Sequence, residues 1–205
     1  KKALNMEKHA KTYSFQRYIK EIVVPDLKEE IITLDAGLYP LGAGVNSTGT
    51  RGYAGNCLEG SVSIYNLETN PIEKMDTVSI GGCPVQAPIS PDDRYVVVPG
   101  LPTVVIDTDS NKVVAGFNTG QGAHGATFSR KADYTEENDT GYYAYITHKK
   151  ENYISVIDLP ADGTPSHAGD IPLNVPDVPQ NVSLFGVSLT GGNGIAANPL
   201  PAPWQ

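Results

Sequence analysis

Cysteine is nearly absent from this chain of 205 residues: it occurs twice, as Cys57 and Cys83. Two sulfurs allow one disulfide at most and match no CxxC, CxxCH or zinc spacing, which argues against covalent c-type haem and against an iron–sulfur cluster held by this chain. No apolar run approaches the ~18 residues of a membrane helix, and the opening KKALNMEKHAKTYSF lacks the apolar stretch of a signal peptide. Membrane insertion is not expected. The first residue is not Met, which fits a processed chain or a fragment. Positive charge is scarce too, with 15 basic against 23 acidic residues and a net charge of -8. A field of that sign repels nucleic-acid phosphates and anionic headgroups, so neither is an expected partner. No GxSxG elbow, Walker loop or GxGxxG fingerprint is present, and the Gly-rich LTGGNGIAAN has no helix pattern after it and reads as a hairpin turn.

What the chain has in excess is turn and strand chemistry. Gly 21 and Pro 16 make 37 of 205 residues, about 18% against a usual ~12%. Eleven Tyr, with many Val, Ile and Thr, suit pleated and half-buried surfaces. The expected class is all-β. Self-similarity organises it further: YPLGAGVNSTGTRGYAGNCLEGSVSIYNLETNPIEKMDTVSIGG, CPVQAPISPDDRYVVVPGLPTVVIDTDSNKVVAGFNTGQG and AHGATFSRK continued by YYAYITHKKENYISVIDLPADG share one order of events. Pro40 to Pro84 is 44 residues, and Pro84 to Ala123 is 39. Each repeat reads as four short strands: an apolar first strand, a polar turn, a Tyr/Val strand, a loop, an alternating strand (SVSIY, TVVID, YISVID), an Asx-type turn and a last strand. Four antiparallel strands per repeat predict one blade of a β-propeller, with repeats over 39–82, 83–122 and 123–175 of a single domain.

TVVIDTDSNKVVAGFNTGQGAHGATFS and YAYITHKKENYISVIDL resemble the YVTN family of β-propeller repeats. That family carries a Tyr-Val-Thr-Asn tetrad, an Asn-Thr-Val-Ser-Val-Ile-Asp strand, an Asn-Lys-Val-Val strand and a Gly-x-x-Pro-x-Gly approach to each blade. Here the tetrad reads Tyr145, Ile146, Thr147, His148 in the third repeat and Tyr53, Ala54, Gly55, Asn56 in the first. In the middle repeat it has drifted to Val96, Val97, Val98, Pro99. The resemblance runs from about Tyr39 to Asp158 and implies a bacterial or archaeal exported propeller.

The ends, 19–38 and 176–200, read as partial blades. Ile19 to Val24 and Glu30 to Leu34 suit an outer strand pair, and Leu184 to Thr190 with Ile195 to Asn198 an inner pair, so that together they make one mixed blade. The chain then holds about four blades' worth of strands. The alternative is an arc of a larger ring, since about seven blades, usual in the family, need roughly 280 residues.

In a propeller the loops between second and third strands and those between blades open on one face. Cys57, Cys83, His124 and His148 fall in such loops. They admit a zinc or copper site, a Cys57–Cys83 disulfide, or two small buried hydrophobes beside a histidine that hydrogen-bonds between blades. Asp107 and Asp158 end equivalent strands and read as turn anchors, and His9 and His167 as surface residues. The insertion SRKADYTEENDTGYY offers Tyr134, Tyr142 and Tyr143 as contacts for a partner. Asn46, Asn138 and Asn181 begin N-glycosylation sequons. The composite expectation is a non-catalytic exported propeller, extracellular, on the cell surface or periplasmic, without a cofactor, that binds protein partners or further copies of itself. The alternative that the resemblance also implies is a propeller subunit of a periplasmic redox enzyme of nitrogen metabolism, with copper or haem bound by it or by its partners. A lactonase-like hydrolase would need a clustered acidic metal site at the axis, which the sequence does not suggest.

Overall fold

The computed structural model describes residues 32–173, apart from 134, 136 and 137, together with the backbone of 182–184 and 187–189. The chain divides between Asp35 and Ala36, and every described strand lies in the second part. The first repeat forms β1 (Pro40–Val45), β2 (Arg51–Asn56), β3 (Ser61–Asn66) and β4 (Glu73–Ser79). The second forms β5 (Tyr95–Val98), β6 (Thr103–Asp107) and β7 (Lys112–Phe117), and the third forms β8 (Ala123–Arg130), β9 (Tyr142–His148), β10 (Tyr153–Leu159) and β11 (Ser166–Pro172). Within each sheet the strands stand side by side in chain order and pair antiparallel. β12 (Val182–Leu184) and β13 (Val187–Leu189) pair with each other. No helix occurs among the described residues.

Three expectations need correction. The middle repeat has three strands, because Pro84 and Pro88 have no N–H to give to a ladder. Residues 84–90 nevertheless run beside β5: Ile89 bridges Val96, the Val97 N–H donates to the Pro88 carbonyl at 2.9 Å, and the Ser90 N–H to the Tyr95 carbonyl at 2.7 Å. Leu184 to Thr190 is not one strand, since Leu184 pairs antiparallel with Val187. Ile32 to Leu34 form no strand, and Ile32 is 44% exposed, without the packing that would favour extension. The segments 19–24 and 195–198 lie outside the described residues.

The core follows from the period-two alternation of the inner strands. Tyr53, Val62 and Ile64 of the first repeat meet Val96, Val98, Val104 and Ile106 of the second. The intervening Tyr95, Val97 and Val105 point to the other face and meet Phe128, Tyr142, Ala144, Ile146, Ile157 and Leu159 of the third. The inner strands β5 and β6 of the middle sheet are therefore buried on both faces, and their sequences read as unbroken apolar runs instead of an alternation. Last strands are exposed: in β4 only Val78 is partly covered. The register between third and last strands slips once in every repeat, at Ile64/Tyr65, Val105/Ile106 and Val156/Ile157. Bulges at matching places increase the local twist that lets successive sheets pack face to face.

Arginines fasten the junctions at the turn end. The Arg51 guanidinium donates to the Thr108 carbonyl of the second repeat, and the Arg94 guanidinium reaches the Pro160 carbonyl of the third at 3.4 Å. Truncation at the core should be costly and truncation on a last strand should not. Ile157→Ala, at a site with no exposure, is expected to lower unfolding free energy by about 3 kcal/mol. Val113→Ala, at a site 40% exposed, should change it by less than about 0.5 kcal/mol. Urea titration checks both, and equal effects would contradict the packing described.

Candidate functional site

The loops 57–60, 99–102 and 149–152, which join second to third strands, face the segments that lead into each sheet. Cys57 and Cys83 are joined there by a disulfide, with their Cα atoms 4.0 Å apart. It ties the loop of the first repeat to the lead-in of the second.

The other two lead-ins are held by side chains at equivalent positions. In the first repeat Asn56, the tetrad's fourth residue, accepts from the Gly37 N–H at 3.0 Å, and Glu59 accepts from the Leu38 N–H at 2.9 Å. The Asn56 amide donates to the hydroxyls of Ser61 (3.0 Å) and Ser63 (2.9 Å) on β3. In the third repeat Glu151, again three residues after the tetrad, accepts from the Gln121 N–H at 3.2 Å. The Thr119 carbonyl there accepts from the hydroxyls of Tyr153 and Ser155, both at 3.0 Å. A β-carbon on Gly37 would meet the Glu59 carboxylate and the Asn56 amide, and one on Gly120, whose φ is +133°, the Tyr153 hydroxyl, so either substitution would displace a side chain that holds the lead-in.

His148 occupies the position of Asn56 and does the same work toward the third strand. Its Nε2 lies 3.1 Å from the Ser155 hydroxyl, as the Asn56 amide lies 2.9 Å from that of Ser63. Ser155 has one proton, and its neighbours Asp170 Oδ1 (2.7 Å) and the Thr119 carbonyl are both acceptors. Nε2 therefore donates and Nδ1 is left as a buried acceptor without a protein partner. Protonating Nδ1 would put a charge into the packed interior, and burial accordingly holds the His148 pKa below its ordinary 6.5. Asp170 also accepts from His167 Nε2 at 3.0 Å on the exposed side of β11. His124 stands beside Ala123, whose register partner is His148, with a bulge following.

The metal set Cys57, Cys83, His124 and His148 is thus corrected. Its two sulfurs are bonded to each other, and among the described residues no three His, Cys, Asp or Glu side chains gather as a metal would need. Asp107 does anchor its turn: the Ser110 N–H and hydroxyl donate to Oδ1 at 2.8 and 2.6 Å, and the Ser110 hydroxyl leads the causes that lower the Asp107 pKa. Asp158 differs: Ala161, without a hydroxyl, stands where Ser110 follows Asp107, and Asp158 pairs with Lys131 of the insertion at 2.5 Å. Tyr142 is no partner contact, being 2% exposed in the core, and Tyr143 lies under the Lys131 ammonium, 5.3 Å from ring centre. Tyr134 lies outside the described residues. Sequence reasoning missed Glu59 and Glu151; the signal was their shared spacing of three residues after Asn56 and His148.

No protein-family model and no curated protein matches this chain. Solved structures do match. The WD40 repeats of RRP9 align at 12% identity with a TM-score of 0.52, over 67% of this chain and 40% of that one. A putative 6-phosphogluconolactonase from Bacteroides uniformis aligns at 16% identity with a TM-score of 0.52, over 68% and 45%. The fold is a β-propeller. Identities this low show the fold alone. Hydrazine synthase of Kuenenia stuttgartiensis aligns at 21% identity over 62% of this chain and 37% of that one, and its TM-score of 0.44 carries no argument. The chain spans about two-fifths of the length of the structures it matches.

Two outcomes follow from this face. The disulfide closes a separation of 26 residues, and replacing both cysteines with serine should cost about 3 kcal/mol, measured by urea unfolding without reductant. As pH falls below 6.5 the unfolded chain takes up the His148 proton before the folded one does, so the neutral-His148 contribution to stability is present above 6.5 and lost as pH falls from there. His148→Asn keeps a donor for Ser155 and removes the titration. Between about pH 7 and about pH 5 the wild type should lose more stability than this variant; parallel curves would refute the assignment.

Proposed function

We propose that this chain is an exported β-propeller module of the YVTN repeat type that has no catalysis of its own and acts through its surfaces on protein partners or further copies of itself. The carrying observation is the Cys57–Cys83 disulfide, the chain's only two cysteines spent on one bond between neighbouring blades. Such bonds persist in oxidising compartments and are rare where thiols are kept reduced, which supports an extracellular, cell-surface or periplasmic location. The chemically capable residues of the same face support a scaffold over an enzyme. Asn56, Glu59, His148 and Glu151 are engaged in holding backbone and neighbouring hydroxyls. Three repeats are about two-fifths of a ring of about seven blades, the same share that the chain covers of the matched propellers. This supports an arc completed by further blades.

The sequons separate under this reading. The Asn46 amide donates to the hydroxyls of Thr48 and Thr50, both at 2.9 Å, and its Oδ1 accepts two backbone N–H groups, so the side chain is committed to its own turn. Asn138 is exposed in the insertion loop, where a glycan is tolerated. Protein from its native source is expected to carry sugar on Asn138 and none on Asn46, to show no free thiol before reduction, and to elute from gel filtration with partner chains. Peptide mapping by mass spectrometry reads the first two. Bare asparagines together with two free thiols would overturn export, and a lone monomer with ready turnover of a small substrate would overturn the scaffold role.

A further inference from the structure

At the opposite face, where first meets second strand and third meets last, the two blade junctions are built from equivalent parts but differ in one dimension. Arg51 and Arg94 each stand two residues before the tetrad and reach across to the turn after the next blade's third strand. The turn that Arg51 meets has four residues, 108–111, between β6 and β7. It is drawn in tightly: the Thr108 hydroxyl donates to the carbonyls of Asp93 (2.7 Å) and Arg94 (3.1 Å). The turn that Arg94 meets has six, 160–165, between β10 and β11, and the contact to Pro160 is stretched to 3.4 Å. The two extra residues hold the junction between the second and third blades open. A groove of about 320 Å³ results, lined by Arg94, Tyr95, Asp107, Val114, Thr164 and Pro165 among others.

The lining states what would fit. Arg94 stands 5.0 Å over the Tyr95 ring, shares a side-chain hydrogen bond with Tyr95 and reaches the Pro160 carbonyl at 3.4 Å, and these contacts use fewer than the five N–H donors of a guanidinium. Asp107, at the end of β6, keeps its negative charge because Ser110 donates to it. A free anion would face Asp107 and a free cation would face Arg94. A neutral group that accepts from one and donates to the other suits both, and adjacent hydroxyls on a ring do that. Val114, 40% exposed, supplies apolar surface for the C–H face of such a ring. We infer that this groove is a saccharide site, with Arg94 and Asp107 binding vicinal hydroxyls and the 160–165 turn forming one wall.

The test is the amide spectrum of the isotope-labelled chain titrated with methyl β-D-glucopyranoside, methyl β-D-galactopyranoside and methyl α-D-mannopyranoside, with glycine and sodium acetate as charged probes. At least one glycoside should shift the amides of Arg94, Val114 and Thr164 with a Kd on the order of 1 to 10 mM, as expected for a small ligand. Thr164→Trp, at an exposed wall position that makes no clasp, should weaken that binding by about tenfold or more with dispersion of the spectrum retained. Val114→Glu offers the same blockage from the other wall if the first variant does not fold. The inference fails if no glycoside moves these amides, if the shifts persist in both variants, or if glycine or acetate binds as well as the glycosides.

Discussion

The middle blade has no solvent face on its inner strands, and the rest of the molecule depends on that. Val96, Val98, Val104 and Ile106 pack toward the first blade while Val97 and Val105 pack toward the third, all at 3% exposure or less. Burying a side chain of this size is worth about 1.5 to 3 kcal/mol, and two adjoining cores share one sheet, so a fault in β5 or β6 weakens both junctions together. Such a sheet cannot keep buried polar positions without partners for them. This constraint explains why the middle repeat holds Pro99 at the place where the polar Asn56 and His148 stand at either side.

The substitution there is paired. Asn56 bonds Ser63 and His148 bonds Ser155, across the same two strands at the same register. At the matching places in the middle blade stand Pro99 and Val105. Removing one partner of a buried hydrogen bond leaves the other unsatisfied, whereas exchanging both for apolar groups is close to neutral. The three repeats thus contain two polar solutions and one apolar solution to a single packing problem. His148 belongs to this series as a variant of a structural asparagine, which accounts for its burial and its neutral state without any catalytic role.

Much of this was legible in the sequence, for identifiable reasons. Period-two alternation placed β3 and β10, the repeat spacing placed β6, and the Asx chemistry of Asp107 with Ser110 placed a turn that the structure confirms. Strand pattern failed where backbone donors were missing: Pro84 and Pro88 reduce a fourth strand to a bridge. It failed again for Tyr142, because the edge of an insertion and the start of β9 look alike when read only for aromatic content. Glu59 and Glu151 were invisible for a different reason. Each acts on a backbone N–H some twenty to thirty residues away in sequence, and only the fold brings the two together.

The position of the disulfide follows from what the middle blade gave up. In the outer repeats the tetrad's last residue and the glutamate three places later flank the loop that holds the lead-in: Asn56 and Glu59, then His148 and Glu151. The same two places in the middle repeat hold Pro99 and Pro102, which carry neither a side-chain acceptor nor an N–H. The lead-in at Gly81, Gly82 and Cys83 is thereby deprived of the side-chain hydrogen bonds that secure the other two, and keeps a backbone bond from the Gly81 N–H to the Gly60 carbonyl at 3.0 Å. A covalent bond from Cys83 to Cys57 supplies the constraint from the neighbouring blade. The apolar demands of the central sheet removed one kind of fastening, and the chain's only two cysteines stand where another kind was required.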